Sequence, residues 1–124
     1  MPAKTIKFSN ISAPQNPYLT LTLCDTFFSR LKGLMFQKGL PPGGGLLFDE
    51  KRDSRRYSAI HMFFMRFPIA VFWVNSANIL VSKSLAKPWH PFYMPSAPAR
   101  YIIETSTSNL ELWNVGDKIL FDEA

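Results

Sequence analysis

The stretch IHMFFMRFPIAVFWVN, Ile60 to Asn75, constrains the fold more than any other part of the chain. From Ile60 to Phe67 both alternating sides are largely apolar, with Ile60, Met62 and Phe64 on one and Phe63, Met65 and Phe67 on the other. A strand with that pattern is covered on both faces, because successive side chains point to opposite sides. Pro68 cannot donate to a ladder, so it marks a bulge, a bend or a strand boundary. IAVFWV and ILVSKSLA then read as a hairpin across the polar turn NSAN. The stretch is expected to be mostly core, with one polar corner at His61 and Arg66.

The rest of the chain supplies further strands and little helix. YLTLTLC alternates strictly, with Leu19, Leu21 and Leu23 on one face and Thr20 and Thr22 on the other, which is a half-buried strand. Thr5 to Ile11, Leu46 to Phe48, RYIIET and the end of VGDKILFD add strands, and a turn falls at Gly116–Asp117. The period changes once. In DTFFSRLKGLMFQ, Phe28, Leu31 and Met35 share a helical stripe behind a cap at Asp25 or Thr26, which predicts one short helix over about residues 27–36. STSNLELW predicts one further helical turn capped by Ser106 or Ser108. KGLPPGGG reads as a turn, DEKRDSRR as a charged solvated loop, and KPWHPFYMPSAPA, dense in proline, as irregular or edge-like.

At 124 residues the chain has room for one core and hence one domain, residues 1–124. Its 47% hydrophobic and 15% aromatic content are those of a folded globule, and the aromatic bias favours sheet. The longest apolar run, Ile69 to Val74, is far short of the roughly 20 residues a membrane helix needs. The N-terminus carries no signal-peptide core, and Cys24 is the single cysteine, so a reducing, cytoplasmic location is expected and no membrane is involved. The net charge is +5, but the lysines and arginines are scattered and the one dense group mixes both signs. That scatter argues against nucleic acid as the partner.

Four residues are the candidate ligand-binding set: Arg66, Arg30, His61 and Glu104. Arginine offers a planar fork for carboxylate or phosphate, and histidine titrates near neutrality. The competing reading makes His61 a hydrogen-bonded structural residue and pairs Arg66 with a carboxylate such as Glu104. Met35, Met62, Met65 and Met94 with His61 and His90 have a donor set suited to copper(I), but no metal-ligand spacing, and methionine is routine core filler. Cys24 ends an alternating strand and reads as a small buried hydrophobe rather than a nucleophile. PPGGG lacks the G-K-[ST] ending and the following helix of a phosphate loop. No catalytic motif, metal site or cofactor is indicated.

RLKGLMFQKGLPPGGGLLF, FFMRFPIAVFWV, ARYIIE and VGDKI stand in an order and spacing that resemble the DUF192 family, whose members have no assigned activity. The resemblance covers about residues 18–121 and rests mainly on RLKGLM together with FFMRFPI. It implies a mainly β fold of two packed sheets, a jelly-roll-like sandwich or a partly closed barrel, with one short helix near 27–36. Arg30 and Glu104 match positions of the family pattern, where a pair joining helix to sheet is expected. The chain departs from that pattern at Ala70, where the family usually has Asp, and at NSAN, where it usually has an acidic-Gly turn. If that carboxylate were a base or a ligand in relatives, this protein would lack it. The expected function is a binding module for a small ligand, anions among the candidates, or a protein partner in a groove near Arg66. The alternatives are an enzyme using His61, Glu104 and the arginines on a small anionic substrate, and a polyanion-binding module using the basic surface with Trp89 and Tyr93.

Overall fold

The computed structural model describes residues 4–24, 40, 42–62 and 65–123. Seven strands form among them: β1 (Thr5–Asn10), β2 (Leu19–Leu23), β3 (Gly44–Ser54), β4 (Ile69–Val74), β5 (Leu80–Ala86), β6 (Ala99–Thr105) and β7 (Ile119–Glu123). One turn of 3-10 helix, Thr107–Asn109, follows β6, and the Ser106 hydroxyl caps it by accepting from the Ser108 N–H. The helix expected over 27–36 lies outside the described residues. So do Arg30, Met35 and Phe64. No helix among the described residues is long and apolar enough to cross a membrane.

The fold is mainly β, and all seven strands join one mixed sheet in the order β5-β4-β6-β3-β2-β1-β7. The expectation of two separate sheets gives way to this single ladder. Every neighbouring pair is antiparallel except β2 with β3, where Leu21 faces Gly45 and Leu23 faces Leu47. A parallel pair needs a crossover of roughly a dozen residues or more, which the chain between Leu23 and Gly44 supplies. The two edges of the sheet meet at one corner: Ile79 bridges Lys118, and the Leu80 N–H donates to the Asp117 carbonyl at 2.9 Å. Pairing stops there, and the sheet is not closed into a barrel.

All six residues of β4 are buried. Ala70, Phe72 and Val74 point to one face, where Phe8, Leu21, Ile103 and Trp113 complete the larger core. Trp113 lies 5.5 Å from the Phe8 ring and 5.8 Å from Phe72, within the range at which aromatic rings attract one another. Ile69, Val71 and Trp73 point to the other face, against Ile60, Met62, Met65 and Phe67. Trp73 fixes that side further by donating its indole N–H to the Ser58 carbonyl at 2.7 Å.

Three local readings are corrected. The described residues of the stretch from Ile60 to Phe67 form no strand of the sheet: Ile60 makes a single bridge, to Tyr93, and the Met65 N–H turns back to the Met62 carbonyl at 3.3 Å. Ile60, Met62, Met65 and Phe67 cover β4 instead of continuing the ladder, and apolar content alone does not separate those two fates. The charged stretch after Phe48 is largely strand, since β3 runs on to Ser54 and re-pairs there with Ala99 after a register shift marked by Lys51 at φ 68°. Gly44 and Gly45 belong to β3 and not to a turn. Gly45 is required by packing: a Cβ there would overlap the Glu104 carbonyl oxygen and lie 3.1 Å from Thr105 Cβ.

Asp49 clamps β3 to β6. Its carboxylate accepts from Arg100 Nε at 2.9 Å and Nη2 at 3.1 Å, and from the Lys51 N–H at 2.8 Å. Burial pushes the Asp49 carboxyl up, but the Arg100 hydrogen bonds, the Lys51 amide and the two positive charges outweigh it and hold the group below its ordinary 3.8.

Two measurements check this architecture. Gly45→Ala should destabilise by about 3 kcal/mol in urea unfolding, because backbone must move to admit the methyl group. Gly43→Ala, with nothing within 4 Å of the added Cβ, should stay within about 1 kcal/mol of the parent. Equal costs at the two positions would contradict the close approach of β3 and β6. A carboxyl depressed by folding contributes stability above its unfolded value and loses it as pH falls through the folded one. Thermal stability of the parent should therefore drop more steeply below pH 3.8 than that of Asp49→Asn, and parallel curves would exclude the clamp.

Candidate functional site

The cover on β4 is a two-stranded ribbon made from residues 60–62 and 89–93. Ile60 and Tyr93 exchange N–H···O bonds of 2.8 Å in both directions, and the Met62 N–H donates to the His90 carbonyl at 2.9 Å. The Met62 carbonyl accepts twice, from the Trp89 N–H at 2.7 Å and from Met65 at 3.3 Å. That shared acceptor sets the Arg66 turn beside the Trp89 loop. Ile60 and Met62 pack inward on β4 together with Met65 and Phe67 of the following turn, while Arg66 and Trp89 are exposed and His61 is half-buried.

Arg66 is exposed between two buried neighbours, and its guanidinium makes no hydrogen bond or ion pair among the described residues. Trp89 is 58% exposed and adopts φ 65°, a left-handed conformation that costs a bulky residue energy and so needs a surrounding structure to impose it. Phe92 is 57% exposed on the same loop. The His90 ring packs 5.6 Å from Tyr93, whose hydroxyl accepts from the Lys87 N–H at 2.8 Å. The aromatic loop is thus tied down at both ends while its large rings face solvent.

The electrostatics of this surface are one-sided. From Ser54 to Ile103 the chain has no Asp or Glu, while it carries Arg55, Arg56, Arg66, Lys83, Lys87, Arg100 and both histidines. Two of these cations are committed elsewhere. Lys83 donates to the Leu110 and Trp113 carbonyls at 2.9 and 3.0 Å, and Arg100 holds Asp49. Arg55, Arg56, Arg66 and Lys87 remain, and Trp89 and Phe92 are exposed on the loop that follows Lys87. The acid-free interval is the signal in the sequence for Lys87 and Phe92, which no motif singles out, whereas His90 stood out only as a metal donor beside the methionines.

Of the four candidates named from the sequence, His61 lies on the ribbon and is half-buried, and Arg66 follows the turn in which the Met65 N–H returns to the Met62 carbonyl. Glu104 is on β6 beside Val71 and Leu46, and is 0% exposed. Arg66 does not pair with it. Arg30 lies outside the described residues. Of the polyanion candidates, Trp89 is exposed, whereas Tyr93 is half-buried with its hydroxyl engaged. Met62 and Met65 are buried core, and Met94 is exposed. Cys24 is half-buried, with Sγ 3.7 Å from the Thr22 carbonyl. A cleft of about 320 Å3 between β1 and the loop before β2 was not foreseen. Lys7, Ser9, Ile11, Pro14 and Tyr18 line it, and the Lys7 ammonium sits 4.3 Å from the centre of the Tyr18 ring.

Comparison with known proteins places this geometry in a family. The model of the DUF192 family, described as "Uncharacterized ACR", matches residues 10–121. A UPF0127 protein of Pyrococcus furiosus is 33% identical over 112 residues, 89% of this chain and 93% of the relative. A UPF0127 protein of Thermococcus sibiricus is 37% identical over 99 residues, 78% of this chain but only 62% of that relative's length. Among solved structures, a putative transcription regulator from Sinorhizobium meliloti superposes with a TM-score of 0.79 at 18% identity, over 97% of this chain and 94% of that one. A protein of unknown function from Novosphingobium aromaticivorans gives 0.73 at 18% identity, over 94% and 83%. At such identities the two structures speak for the fold alone. With a ladder of this topology and a family match across nearly its whole length, the chain belongs to the DUF192 (UPF0127) family.

Proposed function

We propose that this domain is a binding module that takes an anionic ligand on the outer side of the ribbon. The observation that carries the reading is Arg66: an exposed guanidinium, held in place by the buried side chains of Met65 and Phe67 and with no acceptor among the described residues. A side chain placed that way keeps its donor fork for something outside the fold, and a carboxylate or phosphate matches that fork. Trp89, fixed in a strained conformation and facing solvent, adds a flat apolar shelf beside it. The absence of acidic side chains from both ribbon segments lets the positive field reach the ligand undiminished.

The ligand is a small anion or an anionic group on a protein partner. No observation raises the enzyme reading above this one, since Glu104, its carboxylate, is buried in the sheet away from solvent.

Intrinsic tryptophan fluorescence tests the reading directly, because Trp73 and Trp113 are fully buried and Trp89 is not. Titration with inorganic phosphate should change the emission, and Trp89→Phe should abolish the change. Arg66→Met keeps the apolar stem and removes the charge. It should leave stability within about 0.5 kcal/mol, as surface changes do, and weaken phosphate binding roughly tenfold, as loss of a charge-assisted hydrogen bond would. A stability loss of about 3–5 kcal/mol with no phosphate response in the parent would make Arg66 a structural ion-pair member.

A further inference from the structure

The ribbon continues into a second cationic corner. Arg55, in the turn after β3, donates its Nε–H to the Pro95 carbonyl at 3.0 Å, and Pro95 lies in the ribbon's own loop. Arg52, Arg55, Arg56 and Tyr57 are all exposed in this corner. The Arg52 guanidinium lies 4.1 Å from the centre of the Tyr57 ring, which is itself 56% exposed. The Tyr57 N–H bonds to Ser54 Oγ at 3.1 Å, and the Ser58 hydroxyl donates to the Ser54 carbonyl, so the turn is held from within.

Three acids share this corner with the arginines. Asp49 is bound by Arg100 and Lys51, Asp53 accepts from the Ser76 N–H at 2.8 Å, and Glu50 is half-buried, its carboxyl pushed up by burial and by Asp49 against the pull of Arg52. Arg52, Arg55 and Arg56 form no ion pair with a carboxylate among the described residues. Folding sets the dense charged group of the sequence beside an exposed ring. Arg52, Arg55 and Arg56 gather beside one exposed aromatic ring, and Arg66 and Lys87 beside two more, Trp89 and Phe92. The Arg55–Pro95 hydrogen bond splices the two groups.

We propose that corner and ribbon form one track for a single strand of nucleic acid. The proposal rests on the reading of the ribbon as an anion site and extends it. Phosphates would follow the arginines and Lys87, and unpaired bases would stack on Tyr57, Trp89 and Phe92. Exposed rings set among cations suit a strand whose bases are free to stack, whereas a duplex presents phosphates but no base faces. An acidic peptide would satisfy the cations and leave the rings without flat partners.

The test is fluorescence anisotropy with labelled 15-nucleotide oligo-dT and oligo-rU across a salt series. With five cations engaged, the slope of log K against log salt should be roughly −3.5, and Arg56→Met should flatten it by about 0.7. Tyr57→Ala and Trp89→Ala should each weaken binding about tenfold, while Tyr57→Phe should restore it. Lys7→Met, in the separate cleft, should change nothing. A duplex of equal length should bind more weakly, and polyglutamate should fail to compete. The track is overturned if no binding occurs at low salt. It is equally overturned if polyglutamate competes as well as the oligonucleotide, if removal of the rings has no effect, or if Lys7→Met costs as much as Arg56→Met. Phosphate binding to the ribbon without oligonucleotide binding would discard the track and leave the ribbon site standing. Loss of both responses would discard both.

Discussion

Everything in this fold turns on β4, a strand with no solvent-facing side chain. Six consecutive buried residues, Phe72 and Trp73 among them, need cover on both faces, and each large side chain taken out of water contributes about 1.5–3 kcal/mol. One face is covered by the sheet itself, which curls until its edges touch at Ile79 and Lys118 and traps Trp113 against Phe8 and Phe72. The other has no sheet to cover it. The ribbon supplies that cover with Ile60, Met62, Met65 and Phe67. Its partner segment is rich in proline, which suits a pair that must stay short: Pro88, Pro91 and Pro95 lack the N–H groups that a longer ladder would use.

This origin explains why the candidate site is where it is. A ribbon laid on a core has one side fixed by packing and one side free. The fixed side gives Arg66 and Trp89 rigid backbones, through neighbours that cannot move without exposing β4. The free side carries no negative charge, because acidic residues are missing from the whole interval between Asp53 and Glu104. They collect elsewhere, in the β3 arm and in β7 with the turn before it, where Asp49 meets Arg100 and Glu123 meets Lys4 at 3.1 Å. The acid-free interval is also the part of the chain that carries the exposed rings of Tyr57, Trp89 and Phe92.

Where one face is wet the sequence was readable. In β2, Leu19 and Leu21 are buried while Thr20 is exposed, as the alternation requires. The β4–β5 hairpin, β6, a serine cap at Ser106 or Ser108 and the turn at Gly116 were likewise legible from local pattern and turn chemistry. Where both faces are dry, periodicity carries no information, and Ile60, Met62, Met65 and Phe67, which read as strand, are a cover. Gly45 misled for a different reason. Its absent side chain serves a tertiary approach to Glu104, and nothing in PPGGG distinguishes that from a turn. Within the site, His61 and Arg66 stood out as polar residues in an apolar run. Arg66 and Trp89 are 23 residues apart in the sequence, and the Met62 carbonyl, which accepts from the Met65 and Trp89 N–H groups, ties the two segments together.

The claim at the centre is that Arg66 and Trp89 form one preformed anion site. The most direct measurement is an inorganic phosphate titration followed by nitrogen–proton NMR correlation spectra of the labelled protein. The three indole N–H signals and the Arg66 Nε–H report separately on the outer face and the two cores. The Trp89 indole and Arg66 Nε signals should shift together with one dissociation constant, while those of Trp73 and Trp113 stay fixed. Shifts confined to Lys7 and Tyr18, or no shift at Trp89 and Arg66 at saturating phosphate, would contradict the site.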